Sequence, residues 1–216
     1  MSDSPPGVAD LLGVLAYAEL TAFLRLAEDA TRHAPSLTDR AALGGLAAAE
    51  YAHFELLRDR IASLGVDPEE AMAPFVGPLD AWHARTVPGD WLEALVKAYV
   101  GTGIALDFYR EAATGLGEAT RSLVDEVLAD EGRSQFAVER VSAAIEEDPT
   151  LSGRLALWAR RLVGETLSQG RNVAEARPEL AALLTEAGGE DIGRIFTRLT
   201  EEHGNRMTAL GLTPGP

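Results

Sequence analysis

Apolar residues in this 216-residue chain recur at spacings of three, four and seven, and alternation of period two is nearly absent, so the pattern predicts an all-α protein. Interruptions in the pattern set the element boundaries. A first helix spans about 8–32 and closes at His33-Ala34-Pro35-Ser36. Ser36 with Asp39 reads as a capping pair for a second helix, about 37–64, which stops at Gly65. Residues 66–87 carry Pro68, Pro74, Gly77 and Pro78 and read as a long crossover with a helical turn or two after Asp67-Pro68. A third helix starts near Pro88-Gly89-Asp90 and runs to about 114, and Gly115-Leu116-Gly117 turns the chain into a fourth, about 118–146. A fifth covers about 150–174, a short helix follows Pro178, and a last one covers about 190–209.

The connection lengths select a topology. Helices one and two are joined by a short loop, as are three and four, so each pair is expected to form an antiparallel hairpin. Two hairpins linked by one long crossover is the arrangement of a ferritin-like four-helix bundle. The expectation is a single domain over 1–216, with a core bundle at about 8–147 and a helical extension at about 150–210 that packs outside the bundle or caps one end.

Several polar residues fall on faces that should be apolar. On the first helix the core face contains Leu12, Leu15, Ala22, Phe23 and Leu26, and at 100° per residue Glu19 lies in its middle. The second helix turns Leu43, Ala47, Phe54, Leu57 and Ile61 inward, with Glu50 at the centre of that stripe and His53 at its edge. A buried carboxylate is costly unless it is paired, protonated or bound to metal. Glu50-x-x-His53 is the spacing by which one bundle helix offers a carboxylate and an imidazole to the same ion. On the fourth helix Glu131 and Ser134 fall within the apolar stripe, with Asp130 beside it and Arg133 further out, so no second imidazole follows the acid. On the third helix Asp107 sits on a flank of the apolar face.

Composition narrows the possible chemistry. The chain has 34 acidic against 19 Lys/Arg side chains, a formal net charge of −15, which opposes broad capture of nucleic acid or of anionic membrane. With no cysteine, disulfides, thiolate metal sites and thiol nucleophiles are excluded. The start lacks a basic-then-apolar signal and no run approaches a membrane span, so a cytoplasmic location is expected. Neither phosphate-binding nor dinucleotide-binding glycine motifs are present. His33 and His83 fall in connections and are expected to be solvated, while His203 is expected to cap or hydrogen-bond near Glu165. Arg154, Arg160, Arg161 and Arg171 make the fifth helix basic, a stripe expected to pair with surface acids or with a subunit neighbour in a homodimer.

Beside this reading stands a resemblance that covers nearly the whole chain. The segments Tyr17-Ala18-Glu19-Leu20-Thr21-Ala22-Phe23, Glu50-Tyr51-Ala52-His53-Phe54-Glu55, Asp107-Phe108-Tyr109-Arg110-Glu111 and Arg198-Leu199-Thr200-Glu201-Glu202-His203 carry it. In these the chain resembles actinobacterial ferritin-like proteins related to the tRNA-(2-methylthio-cis-ribozeatin) hydroxylases, non-haem di-iron enzymes. The resemblance implies a site of four carboxylates and two histidines that holds Fe or Mn, and a tRNA substrate. By position Glu19, Glu50, His53 and an acid at 130 or 131 match, Asp107 stands where the fourth carboxylate belongs, and the second histidine is missing. Tyr17 and Tyr51 are expected to hydrogen-bond the carboxylates, with Arg133 and Ser134 close by. Two readings stay open. One is a di-iron or Mn oxygenase with a degraded site at Glu19, Glu50, His53, Asp107 and Glu131. The other is a metal-free helical module in which Arg133 or Arg110 neutralises the acids.

Overall fold

A computed structural model describes residues 7–113, 116–129, 133–188 and 192–214. Within them the chain forms α1 (Val8–Arg32), α2 (Leu37–Ser63), α3 (Pro68–Arg85), α4 (Trp91–Ala113), α5 (Glu118–Val127), α6 (Arg133–Glu147), α7 (Leu151–Ala176), α8 (Pro178–Gly188) and α9 (Ile192–Ala209). No strand occurs among the described residues. The helix starts have local chemical causes. Ser36 Oγ accepts from Asp39 N at 3.0 Å and caps α2, and Asp39 then pairs with Arg140 of α6 at 2.8 Å. At the start of α4, Asp90 Oδ1 accepts from Glu93 N and Glu93 Oε2 accepts from Gly89 N, at 2.9 and 2.8 Å.

The crossover between the two hairpins differs from expectation. Instead of a turn or two it is the 18-residue helix α3, with Pro74 and Pro78 inside it. A proline within a helix removes a hydrogen bond and costs about 3 kcal/mol. Three local features offset that cost. Asp67 caps the start by accepting from Glu69 N at 2.7 Å, Pro68 takes the first helical position, and the side chain of Phe75 is fully buried. Burying such a side chain contributes about 1.5–3 kcal/mol. The seat for α3 is Gly13 of α1: a Cβ there would lie 2.2 Å from the carbonyl oxygen of Ala71, so only glycine permits this approach.

The expected helix at 118–146 is also divided, into α5 and α6. Leu128 ends α5, and its carbonyl accepts from Arg110 Nη2 of α4 at 3.1 Å. The guanidinium supplies the partner that a continuing helix would otherwise provide. Gly132, a poor helix former, lies just before α6.

The α1–α2 hairpin packs on α3 and α4, and three helices, α7 to α9, follow the bundle. These last helices enter the core. One apolar cluster joins Leu11 and Leu15 of α1 to Leu57, Phe75, Val124 and Leu199. A second joins Leu95 and Val100 of α4 to Val141, Leu155, Trp158 and Leu162. Trp158 Nε1 of α7 donates to the Glu93 carbonyl at 2.9 Å, and Arg154 reaches Glu93 and Asp90 at 2.6 and 2.8 Å. The basic stripe on α7 is therefore partly paired within the chain. Among the described residues no helix is long and apolar enough to cross a membrane.

Candidate metal centre

The short loop between α1 and α2 lays the two helices side by side, and their inward faces bring Glu19, Glu50 and His53 together. All three are buried, Glu50 to 1% exposure. One ligand atom from each lies within 4.8 Å of the other two. His53 Nδ1 is 3.5 Å from Glu19 Oε2 and 4.0 Å from Glu50 Oε2, and it makes no hydrogen bond among the described residues. Donors about 2.0–2.2 Å from a common ion lie about 3–4 Å from one another, so these separations fit one shared ion. Two carboxylates and an imidazole form an oxygen- and nitrogen-donor set that suits a first-row divalent metal. The carboxylates also need a positive charge nearby, because two ionised acids at this depth repel each other. Tyr109 of α4 is buried against this group. Burial, together with the charge of Glu19, pushes its phenol well above the ordinary range, so it stays protonated.

A family model described as a ferritin-like domain of actinomycetes matches residues 4–187. The chain belongs to that family. No curated protein matches it. In this ferritin-like protein the matched region ends before α9, so His203 and Arg206 are contributed from outside it.

The remaining expected site residues go elsewhere or lie outside the described residues. Asp107 is not part of the cluster: Arg206 Nη2 of α9 donates to Asp107 Oδ2 at 2.5 Å, and Arg110 Nη1 donates to Oδ1 at 3.3 Å. Two guanidiniums therefore already neutralise it. Gly103 makes this pairing possible, since a Cβ there would lie 2.2 Å from Arg206 Nε. Asp130 and Glu131 lie outside the described residues, as do the side chains of Arg133 and Ser134. The tyrosines correct the expectation drawn for them. Tyr17 donates to Asp80 Oδ1 of α3 at 2.9 Å, and burial together with that carboxylate raises its phenol to about 12. Tyr51 is exposed and packs its ring 5.1 Å from that of Phe23.

The histidines also differ from expectation. His83 belongs to α3 and is partly buried, and its desolvation lowers the imidazole to about 3, helped by the charges of Lys97 and Arg25. His203 is buried with neither ring nitrogen hydrogen-bonded among the described residues. Burial and the Arg206 charge lower it to about 4. Glu165, expected beside it, pairs with Arg85 at 2.6 Å. Sequence reasoning missed Tyr109 and Lys97. Tyr109 read as one more member of the apolar face of its helix, and Lys97 is a cation whose burial no periodicity announces.

Proposed function

We propose that this ferritin-like protein holds one divalent transition-metal ion, Fe or Mn, on Glu19, Glu50 and His53, and serves as an oxidoreductase toward a small substrate. The observation that carries the reading is the set of three buried ligand atoms within 4.8 Å of one another on facing helices. When bound, such an ion supplies one-electron redox chemistry toward O2. The chain's own contribution is to fix the donors on rigid helices and to keep bulk water away from them. Tyr109 keeps its proton beside Glu19 and offers a hydrogen-bond donor at the edge of the site.

The wider di-iron set implied by the hydroxylase resemblance needs further acids. Asp107 is held by Arg206 and Arg110, which favours a one-ion centre over a two-ion one. RNA as substrate is opposed by the net charge of −15. The second reading, a metal-free module, draws on the same 3.5 Å approach of His53 to Glu19, which sets the imidazole against the acids without an ion.

Anaerobic reconstitution with Fe(II) or Mn(II), desalting and metal analysis separates the two readings. The expected result is about one ion per chain, as for a single three-ligand site, lost in Glu50→Ala. Less than about 0.2 ion per chain, a deliberately loose threshold, overturns the metal reading.

A further inference from the structure

A cavity of about 210 Å³ opens beside the carboxylates and runs away from them along α1. Glu19 and Glu50 form part of its lining, as do Asp29 and Lys97, and apolar side chains including Val14, Leu26, Leu79, Ile104 and Leu106 supply much of the rest. Glu19 and Asp29 are ten residues apart on one helix, so the carboxylates lie about 15 Å along it from the far end, where Asp29 and Lys97 stand.

The far end holds more hydrogen-bond donors than acceptors. Lys97 Nζ donates to the Thr86 carbonyl at 2.7 Å and stands 4.9 Å over the Trp82 ring, which leaves two of its three N–H groups for other partners. Trp82 Nε1, which can only donate, is buried without an acceptor among the described residues. His83 Nδ1 is likewise buried without a partner among them. Arg25 lines the same end and is paired with Glu28 at 3.1 Å. Asp29 is the one carboxylate in the lining there, and His33 approaches it at 4.0 Å.

We infer that this cavity binds a small amphipathic monocarboxylate, its head group held by Lys97 and Trp82 and its apolar chain directed toward Glu19 and Glu50. A carboxylate supplies acceptors to both donors and a charge to the ammonium. Burial lowers the Lys97 amine to about 8 even with Asp29 nearby, so its charged form lacks full compensation in the ligand-free protein. The size of the guest follows from the volume. A cavity of about 150 Å³ admits benzene, so this one takes a chain of about eight carbons. An opposite orientation would set a carboxylate against two others and is disfavoured by charge. Binding of the guest stands on the cavity alone; its role as the substrate of the metal centre rests on the function proposed above.

Calorimetric titration of the metal-free full chain with octanoate, 1-octanol and methyl octanoate tests the inference. Saturable octanoate binding is expected, with both neutral probes at least tenfold weaker. Lys97→Met, which keeps a linear side chain one atom shorter and removes the charge, should weaken octanoate at least tenfold. Ala22→Phe, which places a ring in the cavity one turn from Glu19, should abolish octanoate binding. No saturable octanoate binding, equal binding of either neutral probe, or unchanged affinity in a folded Lys97→Met overturns the inference. The comparison of the three probes needs no variant, so it decides even where a substitution impairs folding. A protein that binds octanoate but takes up no metal keeps this inference and sinks only the metal reading.

Discussion

Glu50 is nearly inaccessible to solvent, lies close to a second buried acid, and is the residue on which the proposed centre depends. Its periodic position could be read directly, because a charged residue at the centre of an apolar stripe stands out against the 100° repeat. The same logic found Glu19 and His53. It could not place Tyr17 or Tyr51, which flank the stripe and whose partners, Asp80 and Phe23, are set by packing between helices. One prediction belongs at this scale. Glu50→Gln keeps the side-chain shape and removes one of two adjacent buried charges. It should abolish metal retention, measured after desalting, and leave the metal-free protein no less stable than wild type in urea unfolding. A large loss of stability would mean that the carboxylate, and not the metal, is what the fold requires.

At the scale of elements, propensity and punctuation set most helix ends, and packing overrode them in two places. The prolines of α3 argued for a loop, yet Phe75 and the close approach at Gly13 keep the segment helical. The continuous apolar stripe of 118–146 argued for one helix, yet Arg110 from α4 binds the Leu128 carbonyl where it breaks. A third interaction between elements can be tested. Arg206 crosses Gly103 to reach Asp107, so a methyl group at Gly103 must push the guanidinium aside. Arg206→Ala should cost about 1–3 kcal/mol, the range for a hydrogen-bonded charged group. Gly103→Ala should cost a similar amount, and the double variant little more than either alone, because both remove the same contact. Additive losses in a denaturant-based double-mutant cycle would show that Gly103 and Arg206 act separately.

For the whole molecule, His83 and His203 set a pH dependence. Native His83 and His203 titrate at about 3 and about 4, against an ordinary 6.5. Below 6.5 the unfolded chain therefore takes up protons that the native state refuses. Stability is full above 6.5 and falls as the pH drops toward 4, by up to about 1.4 kcal/mol per pH unit for each histidine. Urea midpoints measured in chelator should fall between pH 7 and pH 5. His83→Gln with His203→Gln should flatten that slope, and an unchanged slope in the double variant would remove these residues as its cause.

The chain by itself determined that the protein is helical, that two hairpins flank a crossover, and that Glu19, Glu50 and His53 face inward. Each of these follows from spacing within about twenty consecutive residues, where the helical repeat ties sequence position to direction. Only the tertiary structure decided what meets those faces. Asp107 was legible as an acid on a flank, but its partner Arg206 comes from α9, at the far end of the chain. Lys97 and Trp82 acquire their meaning from a cavity bounded by α1, α3, α4 and α7 together. Periodicity states which way a side chain points; the neighbour it finds there is set by how the helices pack, and the repeat within one helix carries no record of that.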